Sequence, residues 1–153
     1  MIGDTEKRII RELQRDGRRR LKSIAKELNI PLSTVYSKMK GLEKKKIIKS
    51  YQAIVDPQKL GLETTAFIQI DVSQREKVED IAAMLNRNMY VEEIHLMASG
   101  FDILAKVRVK NTAKLGDLIF DKKKGLRSWP GIKKAECLIA FKSVKEYGPT
   151  PVV

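Results

Sequence analysis

Ser33, Thr34, Tyr36, Ser37, Lys38 and Lys40 set hydroxyl and ammonium groups at a spacing that lines one side of a helix, and Lys44 and Lys45 extend its cationic end. Hydroxyls of this kind reach base edges or phosphate oxygens, and the ammonium groups neutralise phosphates by displacing counterions. The plain alternative is a three-helix protein-interaction module whose polar face is merely hydrated. Other chemistry finds few carriers. One histidine, His95, and one cysteine, Cys137, cannot assemble a Cys/His zinc site, and no glycine pair has the spacing of a phosphate-cradling loop. No metal and no cofactor is expected, and a catalytic reading starts poor.

The elements that would carry the hydroxyls and cations are legible around them. Asp4 is expected to cap a first helix in which Ile9, Ile10 and Leu13 share a face and Glu6 sits in the favourable first turn, with Asp16-Gly17 stopping it. A second helix is predicted over 21–28, burying Leu21, Ile24, Ala25 and Leu28 at helical spacing. Asn29-Ile30-Pro31 breaks it, because proline disfavours helical geometry in the residue before it and suits the start of the next helix. The third helix is predicted over 32–45, with Val35, Met39 and Leu42 on its apolar stripe. Two short helices joined by a tight turn, the second polar on its outer face, describe a helix-turn-helix.

Charge supports that reading. The 153 residues carry 31 Lys and Arg against 19 Asp and Glu, a formal +12. Residues 1–62 hold 16 against 7, net +9, and residues 63–153 hold 15 against 12, net +3. A positive field concentrated on a small domain favours a polyanion, nucleic acid first, although a lysine-rich solvated surface is a competing account. No apolar run approaches the roughly 20 residues of a membrane span. The absence of an apolar signal stretch at the N-terminus and the lone cysteine point to the cytoplasm.

After a short extended piece, Ile47 to Tyr51, residues 51–62 read as a hinge containing Asp56-Pro57 and Leu60-Gly61. The chain divides into a helix-turn-helix domain at 1–50, this linker, and a second domain at 63–153. In the second domain, 65–72 alternates as a half-buried strand, and Val78, Ile81, Ala82 and Leu85 form a helical stripe. Strands follow at 91–98 and 101–110, joined through a two-residue Ser99-Gly100 turn. A helix from about Thr112, a loop closed by Pro130-Gly131 and a strand at 135–144 complete the order β-α-β-β-α-β. The fold class is α+β: a winged-helix-like reading head hinged to a ferredoxin-like antiparallel sheet with helices on one face. Apolar residues facing both ways predict that the bare face pairs with a second copy. The tail 147–153, with two prolines, is expected to fray unless a neighbour orders it.

These residues resemble the Lrp/AsnC transcription regulators over essentially the whole chain. The resemblance lies in Asp4, Ile9 and Leu13; Asp16-Gly17-Arg18; Ile24-Ala25; Ser33-Thr34-Val35; Leu42-Glu43 and Ile47 to Tyr51; Leu60-Gly61; His95 to Ala98 running into Phe101-Asp102; and Pro130-Gly131-Ile132. It implies an N-terminal domain that binds double-stranded DNA and a second domain that forms homodimers, assembles them to tetramers or octamers, and binds a small amino acid between them. The family's usual capping serines are replaced by Arg20 and Pro31, each losing an oxygen worth roughly 1 kcal/mol. The glycine that usually ends the recognition helix is Lys46, placing a side chain where a left-handed cap is expected. A threonine often found near the ligand on the last strand is Cys137.

An amino-acid effector needs donors for its carboxylate and an acceptor for its ammonium. Backbone N–H groups at Ser99, Gly100 and Phe101 are the candidate donors and Asp102 the candidate acceptor, with Cys137 nearby. The plainer reading of Asp102 is a turn-stabilising carboxylate, and of Cys137 and His95 structural residues. The leading reading is a sequence-specific, dimeric or larger DNA-binding regulator. The alternative is a chromatin-like compactor with little sequence choice. An acyl-phosphatase-like enzyme is disfavoured, since Asn86, Asn88 and Asn111 have no glycine-rich partner loop.

Overall fold

The computed structural model describes residues 2–74, 77–98 and 100–153. It divides into two compact units: Met1–Val55 together with Lys145–Val153, and Asp56–Val144.

The first unit contains α1 (Asp4–Arg15), α2 (Leu21–Leu28) and α3 (Leu32–Lys44). Ile9, Ile24, Ala25, Leu28 and Val35 form its core, with Leu13, Leu21 and Ile30 packed against it. Gly3, not Asp4, occupies the N-cap of α1: the Glu6 carboxylate reaches back to accept the Gly3 N–H at 2.7 Å, so Asp4 becomes the first helical residue. Asn29 ends α2 with a left-handed backbone, φ 52°. The helices at 21 and 32 start without a side-chain cap bond from Arg20 or Pro31. Lys46 takes the left-handed conformation expected at that position, φ 58°.

In the piece after α3, the Ile47 and Ile48 N–H groups donate to Leu42 O at 3.0 and 3.3 Å, capping the helix end. The tail does not stay with the sheet domain. Arg11 Nη2 donates to Val152 O at 2.9 Å and Gln14 Nε2 to Thr150 O at 3.0 Å, fastening it to α1.

In the second unit a 3-10 turn, Gln58–Leu60, precedes β1 (Thr64–Val72), α4 (Val78–Leu85), β2 (Val91–Leu96), β3 (Ile103–Val109) and α5 (Thr112–Phe120), and a second 3-10 turn, Leu126–Ser128, leads into β4 (Ile132–Ala140). The sheet is antiparallel in the order β2-β3-β1-β4. Ala66, Ile68, Ile70, Ile103, Ala105, Val107 and Ala135 pack under Ile81, Leu85, Leu115 and Ile119 of the two helices. The β2–β3 connection is longer than the two-residue turn expected, because the strands stop at Leu96 and Ile103, although Met97 N–H still donates to Asp102 O at 2.8 Å. The strand expected at 135–144 starts at Ile132 and ends at Ala140, where its partner β1 runs out. The face away from the helices is mixed, not simply apolar. Phe67, Leu104 and Leu138 share it with Lys106 and Glu93, paired at 3.2 Å, while Arg108 Nε stands 3.1 Å from Glu92. Among the described residues no helix is long and apolar enough to cross a membrane.

Candidate nucleic-acid interface

Pro31 opens α3 with its carbonyl accepting the Thr34 and Val35 N–H groups at 3.0 and 3.2 Å. Val35 and Leu42 are fully buried, and Met39 is half-buried between them. That inward stripe fixes the rotation of the helix, so Ser33, Tyr36, Ser37, Lys38, Lys40 and Lys44 stand in solvent, with Lys45 just beyond the end. Thr34 sits half-buried at the margin. The eight residues picked out in the sequence therefore fall on or beside one outer surface, with Thr34 on its edge.

Carboxylates hold part of this surface in place. Lys38 Nζ lies 3.7 Å from Glu6, and Lys40 Nζ 3.0 Å from Glu43 while standing 5.9 Å over the Tyr36 ring. Tyr51 Oη donates to Glu43 at 3.2 Å. The Gly3 N–H, aided by the charges of Lys38 and Lys45, holds the Glu6 carboxyl below the usual carboxylate range. The Lys40 hydrogen bond does the same to Glu43, and Glu43 in return raises Lys40. Partial burial, then the Glu43 bond, pushes the Tyr51 phenol up. Behind the surface, the buried Glu12 accepts from Arg15 at 3.0 Å and from Arg19, which also bridges to Glu27. Sequence reasoning gave Glu6 only its first-turn place and Glu43 and Tyr51 only a place in the resemblance; it missed their pairing with the surface cations and this Glu12 network. The Lys40–Glu43 spacing was a readable signal, whereas Tyr51 follows a non-helical stretch and gave none.

The second unit has a cleft of about 500 Å3 lined by Asp71, Val78, Leu96, Met97, Ala98, Gly100, Phe101 and Asp102. Gly100 adopts φ 80°, which its missing Cβ permits. Asp102 Oδ2 accepts the Val72 N–H at 2.7 Å. Three of the five residues proposed for an effector, Gly100, Phe101 and Asp102, thus line one cleft; Ser99 lies outside the described residues. Cys137 is not brought to it. Cys137 faces the helices beside Ile68 on the neighbouring strand and packs against the core, and burial pushes its thiol up. His95 is exposed and bonds Glu93 at 3.3 Å. Among the described residues no group of three or more His, Cys, Asp or Glu side chains is placed to hold a metal ion.

A helix-turn-helix with an outward polar recognition helix, joined to a split β-α-β sheet module with a cleft at its hairpin, defines a DNA-binding regulator with a ligand-binding module. The comparisons agree. Residues 3–49 match the model of a winged helix-turn-helix DNA-binding domain, and residues 65–150 that of the Lrp/AsnC ligand binding domain. The chain is 33% identical over 152 residues to an uncharacterised HTH-type transcriptional regulator of Pyrococcus horikoshii, covering 95% of this chain and 97% of that one. It is 28% identical over 151 residues to the HTH-type transcriptional regulator FL11 of the same organism, covering 99% and 97%. Similar solved structures include Escherichia coli AsnC, TM-score 0.88 at 19% identity over 99% of each chain. Another is a Neisseria meningitidis transcriptional regulator in complex with L-Met, TM-score 0.90 at 22% identity over 99% of this chain and 97% of that one. The chain belongs to the Lrp/AsnC family of helix-turn-helix transcriptional regulators, which are not enzymes.

Proposed function

We propose that the protein regulates transcription by seating the outer face of α3 in the major groove of double-stranded DNA. Ser33, Thr34, Tyr36 and Ser37 meet base edges or nearby phosphates, and Lys38, Lys40, Lys44 and Lys45 neutralise the backbone. The carrying observation is the division of one helix into a fully buried Val35 and Leu42 and an outer surface of hydroxyls and cations. Lys38 and Lys40 exchange Glu6 and Glu43 for phosphate on binding, so part of the electrostatic gain is offset by the carboxylates they leave.

The protein acts as a homodimer, assembling to a tetramer or octamer, through the sheet face away from the helices, and it works in the cytoplasm. A small amino acid occupies the cleft beside residues 97–102, a reading supported by the L-Met held by the similar Neisseria regulator. Only Asp102 there offers an acidic side chain from the candidate set, and Cys137 plays no part.

Gel shift and footprinting on the promoter upstream of its own reading frame test the first claim. Discrete protected sites that survive moderate salt are expected. Uniform coverage, or no preference over scrambled DNA, defeats it. Thermal-shift screening against the standard amino acids tests the second: a ligand at 100 times its Kd adds about 2.7 kcal/mol of stability, and a flat screen removes the effector.

A further inference from the structure

Charge in the sheet unit is unevenly spread. Residues 110–134 carry eight Lys and Arg against two Asp, net +6, whereas residues 63–109 carry five against eight, net −3. All eight cations are exposed. The fold holds most of them together. After α5, Asp121 Oδ1 accepts the Lys123 and Lys124 N–H groups, both at 2.8 Å, which locks the turn that presents Lys122, Lys123 and Lys124. The turn closes tightly at Gly125, where a Cβ would lie 2.5 Å from Asp121 N. Trp129 Nε1 donates to Lys124 O at 3.1 Å and Arg127 Nη2 to Ala135 O at 3.0 Å, so the turn is fastened to the start of the edge strand β4. There Lys133 and Lys134 share a shallow cleft of about 240 Å3 with Arg127. Arg127 lies 4.7 Å over the ring of Phe120, itself exposed. Lys134 is partnered by Glu136 at 2.7 Å and Asp121 faces Lys124 and Lys114, so carboxylates offset only part of the charge.

Clustering like charges on a built turn is unfavourable in the free protein and becomes favourable when a polyanion covers them. We propose that this patch is a second contact for the phosphate backbone of duplex DNA, on the flanks of the site that α3 reads. The inference rests on the α3 reading, which supplies the partner: once α3 is bound, the flank is present at high effective concentration.

The test compares a duplex of about 20 base pairs, enough for two half-sites, with one extended by about 20 base pairs on each side. The full-length parent should bind the extended duplex more tightly and with a steeper salt dependence. Lys122→Gln, Lys123→Gln and Lys124→Gln combined should remove that advantage, lowering the slope of log K against log salt by about 2 to 3 on the extended duplex, at about 0.9 per phosphate contact. The short duplex should bind unchanged, and the corresponding triple Arg variant should keep the parent's slope. Equal parental slopes on both duplexes overturn the proposal, as does a triple Gln variant that weakens both duplexes alike. So does a change in assembly mass by light scattering, which would assign the turn to contacts between copies. Failure of the α3 reading shows separately, as loss of sequence preference by the parent on the short duplex.

Discussion

Asp102 and Val72 are joined by a 2.7 Å hydrogen bond from the Val72 N–H to the Asp102 carboxylate, and the Asp102 N–H donates to Ile70 O at 3.0 Å. One residue thus fastens the β2–β3 connection to the end of β1 at the wall of the cleft. The turn-stabilising role and the proposed ammonium-accepting role fall on the same side chain, and substitutions separate them. Asp102→Ala leaves the Val72 N–H without that acceptor and should cost about 1 to 3 kcal/mol in urea unfolding. Asp102→Asn keeps an acceptor oxygen and should cost less than about 1 kcal/mol, yet it should abolish any amino-acid-induced rise in Tm. If Asp102→Asn responds to amino acids like the parent, the carboxylate charge does not hold the ligand.

Lys46 ends the α3 region at φ 58°, a conformation that costs an L side chain roughly 1 kcal/mol and glycine almost nothing. Lys46→Gly should therefore stabilise the helical unit by about 0.5 to 1 kcal/mol, net of glycine's greater freedom when unfolded. Arg20→Ser, which restores an oxygen at the uncapped start of α2, should add a similar amount. Slower amide exchange at Ile24 and Ala25 reads both.

What the sequence disclosed depended on whether the deciding contact was local. The Val35 and Leu42 stripe and the alternation through Ala66, Ile68 and Ile70 are periodic, so helix and strand were legible, together with the family order of the two domains. The start of β4 was hidden because Asp71 pairs with Lys134 and Val72 with Ile132, leaving Lys133 as an extra residue that breaks the alternation. Its end was hidden because Leu138-Ile139-Ala140-Phe141 stays apolar while pairing stops with β1, a fact about the partner strand. Which of its two readings Cys137 takes, ligand neighbour or core residue, was hidden for the same reason: its face is set by register against Ile68. The tail's attachment to Arg11 and Gln14 joins residues more than a hundred apart, where no spacing rule reaches.

Glu43 restrains Lys40 and Tyr51 together, and its removal should be visible in three ways. Glu43→Gln spares Lys40 the exchange of a carboxylate for phosphate, so DNA binding should tighten a few-fold, while the salt slope stays near the parent's because Lys40 meets phosphate in both. The Tyr51 phenol, held up by burial and then by Glu43, should titrate at lower pH in the variant, read by ultraviolet absorbance. Stability follows the sign of the Glu43 shift. Its folded pKa lies below the ordinary value of 4.5, so its contribution is present above that value and is lost as pH falls through the folded one. The parent should lose more Tm than Glu43→Gln between about pH 5 and pH 3. Identical acid profiles would show that the pair adds nothing in solution.

Thr34 and Lys44 separate reading from holding. Thr34 sits half-buried at the margin of the outer surface, near the start of α3, where recognition helices meet base edges; Lys44 is exposed at the far end. Thr34→Ala should reduce discrimination between the operator and scrambled DNA, by about 1 to 3 kcal/mol at the base pair it contacts, and leave the salt slope intact. Lys44→Ala should weaken operator and scrambled DNA by the same factor and lower the slope by about 0.9. Quantitative gel shifts at several salt concentrations distinguish the two patterns. If both variants keep the parent's preference and slope, the groove is met by another face of the helical unit, since nothing buried in α3 can substitute for these two side chains.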